Sequence, residues 1–173
     1  NYLRGQTGNE DEASNPVADR LFRAREAVLG DLIEAKPSFM GKPKYAYADP
    51  GYAAYAAAKA DRLPLDASDD GATVYAAAND GMLHAFNANT GQERWAFIPT
   101  PVLPNLYKLA DSAYGSSHAS FVNGSPFVAD ICVDNTSAGR TCPNNATAAD
   151  WKTILVGGLN GGGRGYYALD VTD

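Results

Sequence analysis

The chain has 173 residues, 45% of them hydrophobic, with 14 Lys+Arg against 20 Asp+Glu, two His and two Cys. This is enough to bury a sizeable core, and the composition excludes a disordered, collagen-like or coiled-coil chain. No apolar run approaches the roughly 20 residues that span a bilayer, and a net charge of −6 speaks against nucleic acid or an anionic membrane surface as partner.

In chain order, residues 5–16 are polar and turn-forming, and residues 1–17 read as a flexible lead-in. The chain opens at Asn1 with no methionine, basic segment or apolar stretch, so it shows no signal peptide, which leaves room for one upstream in a longer parent. Leu21, Phe22, Val28 and Leu29 have a spacing that suggests a helix over 18–29. A clearer helix starts at Tyr52, with Asp49 as expected cap and Pro50 in its first turn. Another is expected after Thr100, with Pro101 at its first position and Val102, Leu106 and Leu109 on one face.

The remainder reads as strands. Thr73–Ala78 and Met82–Phe86 flank Asn79-Asp80-Gly81, a hairpin signal because Asn and Gly tolerate the positive φ that tight turns need. A second turn, Asn87–Gly91, leads to a third strand over Glu93–Ile98 that carries Trp95. The unit then recurs: Ile154–Gly158 matches the first strand, Asn160–Gly163 the hairpin, and Tyr166–Asp170 the second strand. Ala85-Phe86-Asn87 and Ala168-Leu169-Asp170 occupy the same place in two copies about 80 residues apart (154 minus 74). Gly30–Gly41 and Val122–Asp130 also share a pattern of small residues, Pro and strand. Short antiparallel sheets repeated with Gly turns point to a mainly β protein with inserted helices: a partial, modified β-propeller. Residues 18–173 are read as a fragment of such a domain, truncated after the second strand of its last blade.

The excess acid is confined to this part. Residues 1–62 hold 9 basic and 9 acidic side chains, and residues 63–173 hold 5 and 11.

Several motifs were weighed for chemistry. Gly163-Arg164-Gly165-Tyr-Tyr-Ala168 fits a dinucleotide fingerprint, but that mechanism needs a helix next and a strand pattern follows. His84 sits between apolar strand neighbours and reads as packed. Ser116, Ser117 and His118 adjoin in sequence, which rarely sets nucleophile against base, so no catalytic residues are assigned. Asp66, Asp69, Asp70 and Gly71 lack the ligand alternation of a calcium loop and read as a solvated turn. Asn135-Thr-Ser137 and Asn145-Ala-Thr147 fit the short glycosylation pattern. Trp95 is either a stacking platform for a planar cofactor or, more simply, core between neighbouring blades. Cys132 and Cys142 flank nine residues of a polar loop, without the spacing or His partners of a metal site. A disulfide in an oxidising compartment is the reading, with two free thiols as the alternative.

The run Val74-Tyr75-Ala-Ala-Ala-Asn79-Asp80-Gly81-Met82-Leu83-His84-Ala85-Phe86-Asn87, with Thr90-Gly91, resembles the signature of the C-terminal propeller of PilY-type type IV pilus biogenesis proteins. Leu29–Ile33, Tyr52–Tyr55, Val102–Leu106, Phe121–Pro126, Trp151–Gly158 and Gly163–Gly165 agree in order, so the resemblance covers about residues 20–173. It marks Asn79, Asp80, Gly81, Phe86, Gly91, Trp95, Gly163 and Gly165 as repeat-signature positions. It implies an exported, non-enzymatic module in the periplasm, at the outer membrane, or at the cell surface or pilus tip. Such a module supports pilus biogenesis, adhesion to host or abiotic surfaces and twitching motility, with minor pilins as partners. It also implies a distant likeness to quinoprotein dehydrogenases, and a quinoprotein-like dehydrogenase is the alternative function. That chemistry needs a quinone, a metal held by oxygen ligands and a carboxylate base, and no such set is apparent. The family's calcium loop, Asp-x-Asp-x-Asp, does not occur, so calcium has no ligands to assign here and no cofactor is expected in this chain. The rest of the propeller, or a second copy of the chain, is expected to cover the open edge at 166–171.

Overall fold

The computed structural model describes residues 1–62, 71–133 and 142–172. Two antiparallel sheets carry the architecture. The first has the order β1 (Ser38–Met40), β2 (Thr73–Ala78), β3 (Met82–Asn87), β4 (Glu93–Phe97); the second runs β5 (Phe127–Cys132), β6 (Trp151–Gly158), β7 (Tyr166–Asp170). One α-helix, α1 (Tyr52–Ala58), lies between β1 and β2 in sequence. The strands expected over 73–78, 82–86, 93–98, 154–158 and 166–170 are all present. β1 and β5 form from the two stretches with the shared Pro pattern, and each is the first strand of its sheet.

The two sheets are copies at residue level. Thr73 pairs with Asn87 in the first and Ile154 with Asp170 in the second. One residue on, Ala88 N donates to Ala72 O at 3.0 Å and Val171 N to Thr153 O at 2.9 Å. Asn87 Oδ1 accepts from Asn89 N at 2.8 Å, and Asp170 Oδ1 from Thr172 N at 3.0 Å, the same side-chain turn in both copies. The offset between first strands is therefore 81 residues (154 minus 73), not 80. The single residue matters, because a one-residue slip would exchange the faces of a strand. With this offset Ser38-Phe39-Met40 corresponds to Phe127-Val128-Ala129, and Pro37 to Pro126. Among the described residues β4 has no counterpart, and the two sheets do not close a ring.

Cross-strand partners share a face, so each sheet has a front and a back. On the front of the first sheet lie Met40, Tyr75, Ala77, Leu83, Ala85 and Phe97; on its back lie Phe39, Val74, His84 and Phe86. The front packs on Val128, Leu155, Tyr167 and Leu169, the back of the second sheet, to form the main core. The Phe97 and Tyr167 rings meet there at 5.8 Å.

Several local expectations are corrected. Residues 18–29 form no α-helix: a 3-10 turn ends at Asp19, Phe22 is extended, bridges Glu10 and packs on the main core, and Leu21, Val28 and Leu29 are exposed. The lead-in is packed, not loose. Tyr2 is buried with its hydroxyl donating to Leu109 O, and the Arg25 guanidinium lies 3.8 Å over its ring while gripping the fully buried Glu10. Thr100–Ala110 is a 3-10 helix; in an α-helix the ring of Pro104 would clash with the carbonyl of Thr100, four residues back. Its face of Val102, Leu106 and Leu109 is buried as expected. Helix α1 is capped by Gly51 at φ 81°, and Asp49 supplies only its carbonyl to Tyr52 N. In the 79–81 turn only Gly81 has positive φ (92°), where a Cβ would also strike Leu106 at 2.3 Å. Trp95 does not fill the space between the sheets. It is 37% exposed, beside Tyr75 at the rim of the front face.

Candidate functional site

The repeat-signature positions fall in different places. Gly91 lies in the turn before β4 and Trp95 on β4, while Phe86 is on the back of β3. Gly163 and Gly165 lie in the connection to β7, and the element that follows is a strand, so no helix N-terminus is there to hold a pyrophosphate. Asn79, Asp80 and Gly81 stand apart from these as the centre of a buried polar cluster.

The side chains of Asn79 and Asp80 act as staples. Asn79 Nδ2 donates to Asp31 Oδ1, its Oδ1 accepts from Phe121 N at 3.1 Å, and its own N–H goes to Asp31 O. One residue thus ties the first sheet to Asp31 and to the segment leading into β5. Asp80 Oδ2 accepts from Gly30 N at 2.9 Å, and Oδ1 from Met82 N at 3.1 Å. His84, the third residue of β3, completes the cluster. Its Nε2 lies 2.9 Å from Asp80 Oδ2, and its Nδ1 is hydrogen-bonded to Glu93 Oε1 on β4. Burial by itself lowers the affinity of the ring for a proton, but the flanking Asp80 and Glu93 carboxylates outweigh it and raise the His84 pKa above the ordinary value. His118 pairs with Asp31 Oδ2 at 2.7 Å, away from Ser116 and Ser117 as nucleophiles, and Ser116 Oγ donates to Ala113 O instead.

Two depressions flank this cluster. One, of about 350 Å³, is lined by Tyr2, Arg23, Leu29, Asp31, Asp80 and Tyr114. The other, of about 520 Å³, lies on the back of the first sheet among Leu3, Val28, Leu29, Met82, Phe86 and His84. Among the described residues no three His, Cys, Asp or Glu side chains come together to hold a metal ion, and no helix is long and apolar enough to cross a membrane. The Asp66–Asp70 run and the Asn135 sequon lie outside the described residues, while Asn145 of the other sequon is exposed.

A second buried network joins α1 to the second sheet. Tyr52 Oη donates to Asp130 Oδ2 at 2.9 Å, Tyr55 Oη bonds Thr153 Oγ1, and Arg62 donates to Thr153 Oγ1 and Thr172 O. Burial, with the Asp130 bond, pushes the Tyr52 hydroxyl well above its ordinary pKa. Cys132 and Cys142 are joined in a disulfide with Cα atoms 5.4 Å apart, and it packs beside Tyr52, Tyr55 and Trp151. Trp151 Nε1 donates to Pro50 O at 2.9 Å, closing this side of the cluster.

The partners Gly30, Asp31, Glu93 and Phe121 carry no chemical signature of their own in the sequence. The signal that reached three of them was the family resemblance, which spans Leu29–Ile33 and Phe121–Pro126.

Residues 29–173 match the model of the PilY1 beta-propeller domain. The chain belongs to this family. Its whole length is 38% identical to a type IV pilus biogenesis factor PilY1 homolog of Xylella fastidiosa, of which it covers 12%. Over 99% of its length it is 37% identical to the type IV pilus biogenesis factor PilY1 of Pseudomonas aeruginosa strain PAK, of which it covers 13%. The chain thus spans about an eighth of the length of these curated relatives. No solved structure matches it.

Proposed function

We propose that this chain is a binding and assembly module of an exported type IV pilus biogenesis factor, acting through its surface and without a catalytic centre or redox cofactor of its own. Membership of the PilY1 β-propeller family over residues 29–173 carries the reading. The Cys132–Cys142 bridge supports it, since such a bridge persists in an oxidising compartment: the periplasm, outer membrane or cell surface. The polar interior is occupied in stapling the sheets and α1 together, which suits a rigid scaffold. The partners in this reading are minor pilins or other pilus-tip components, and the process served is pilus assembly with the attachment and twitching that depend on it. A host or abiotic surface is a further partner of the same module. In this reading a calcium site, where the protein has one, belongs to parts other than this chain.

The test is an in-frame deletion of residues 29–172 from a full-length protein containing the chain. The reading expects loss of surface pili and of twitching, with minor pilins no longer co-purifying. Normal piliation, together with alcohol oxidation by the intact protein on addition of quinone and calcium, would replace it with the dehydrogenase reading.

A further inference from the structure

The connections that follow β1 and β5 meet at the Cys132–Trp151 end of the second sheet, outside both sheets, where α1 packs on residues 148–150. A column of aromatic rings runs outward from this junction. Trp151 is buried at its base; Tyr47 stacks on it at 5.6 Å and 17°, and Tyr45 stacks on Tyr47 at 5.1 Å and 14°. The edge of Tyr52 against Tyr47 at 4.8 Å fixes the column from the side. Tyr45 ends it. This ring is 41% exposed and meets no other ring than Tyr47 among the described residues.

Beside Tyr45 lies a shallow depression of about 90 Å³, walled by Phe39, Lys42, Lys44 and Val128. Lys44 Nζ stands 5.4 Å over the Phe39 ring, and among the described residues neither lysine is paired with a carboxylate. Residues 35–48 hold three lysines and no acidic side chain, in a chain of net charge −6. A flat ring face and two unneutralised ammoniums therefore adjoin on an otherwise acidic molecule.

We propose that the open end of this column is a binding site for an acidic saccharide, a pyranose unit bearing a carboxylate. The face of an aromatic ring is electron-rich, so it attracts the C–H bonds that line one face of a pyranose. With the sugar seated on Tyr45, its carboxylate would take charge-assisted hydrogen bonds from Lys42 and Lys44. The depression is too shallow to enclose a ligand and suits one unit of an extended chain. An acidic peptide would satisfy the lysines but has no ring of C–H bonds to lay on Tyr45. The inference rests on the reading of the chain as a module that acts through its surface, and deepens it by naming a ligand class.

The test is titration of a full-length protein containing the chain with oligogalacturonate, followed by calorimetry, with the neutral galactose oligomer and polyglutamate as controls. Oligogalacturonate should bind, and the neutral oligomer about tenfold more weakly. Tyr45→Ala and the paired Lys42→Gln/Lys44→Gln variant should each weaken binding about tenfold, while Tyr45→Phe binds as the wild type. The lysine pair is exposed, so it reads the site even if Tyr45→Ala loosens the column. Absence of oligogalacturonate binding, or binding that neither variant moves, would overturn the proposal. So would polyglutamate binding as tightly with Tyr45→Ala as without it, since that would assign the lysines to an acidic protein. The assay reads binding alone, so either failure leaves the role in pilus assembly to its own deletion test.

Discussion

The ring of Tyr167 lies across Gly157, its cross-strand partner: a Cβ on Gly157 would sit 2.2 Å from Tyr167 Cζ and 2.3 Å from its hydroxyl oxygen. The glycine gives the ring a flat seat on β6, and from that seat the ring reaches Phe97 of the other sheet. The contact between sheets thus depends on a missing side chain.

Gly157→Ala should cost about 1–3 kcal/mol by overpacking, measured by denaturant unfolding, with the circular dichroism of the strands retained. The Tyr167 hydroxyl is buried without a hydrogen-bond partner among the described residues, and burial pushes its pKa up to about 12. Tyr167→Phe should therefore leave stability unchanged or raise it by about 1 kcal/mol. A loss of comparable size would mean that the hydroxyl has a partner.

His84 makes stability depend on pH. Its folded-state pKa is raised above 6.5, so the contribution of the Asp80–His84–Glu93 bridge is complete below the unfolded value and is lost as pH rises through the folded value. With the proton gone, one ring nitrogen no longer donates, so one of the two carboxylate contacts of the bridge is lost. Unfolding midpoints should fall as pH rises above the ordinary histidine value of about 6.5, and His84→Gln should flatten that slope. An NMR titration placing His84 below 6.5 would contradict the assignment.

Asp80→Ala should be more damaging than a change at the exposed Thr90 of the next turn. It strands the Gly30 and Met82 amides and removes one of the two carboxylates facing His84, for a cost of about 3 kcal/mol. Asp80→Asn keeps a single acceptor oxygen, so it serves one of the two amides while its Nδ2 faces the other, and should recover less than half. Urea titration of the three proteins separates the outcomes.

The Cys132–Cys142 bridge closes a short loop and packs against the aromatic cluster under α1. The paired Cys→Ser variant should lose about 2–3 kcal/mol in the chain-entropy picture. Trp151 fluorescence should report a loosened α1 before the sheets unfold. Two free thiols by alkylation of the unreduced wild type would remove the basis of this prediction.

Much of the strand framework was legible because its signals are local. Asn79-Asp80-Gly81 between two apolar runs, and the match of Ala85-Phe86-Asn87 to Ala168-Leu169-Asp170, rest on turn chemistry and periodicity that a short window contains. The one-residue error in the repeat offset arose because Val74 and Ile154 are alike in type, and only the pairing Thr73–Asn87 against Ile154–Asp170 decides the face. The apolar spacing of residues 21–29 suggested a helix, yet the segment is extended and held by the Glu10–Arg25 pair and by Phe22 on the core, with Leu21, Val28 and Leu29 exposed; a tertiary contact overrides local pattern. The roles of Asn79 and Asp80 were half visible: the turn was readable, but their partners Asp31, Gly30 and Phe121 lie some 40–50 residues away and have no local mark. Trp95 was misplaced for a related reason, since a ring on an edge strand is buried only when something covers that edge.

Hydroxyl-radical footprinting of Tyr166 and Phe127, compared between the isolated chain and a full-length protein containing it, tests the place of this chain in a larger propeller most directly. Both rings are exposed on the open face of the second sheet. The account predicts strong labelling of both rings in the isolated chain and protection of both in the full-length protein, with Tyr75 and Phe97 protected in each. Equal labelling of Tyr166 and Phe127 in the two proteins would contradict it.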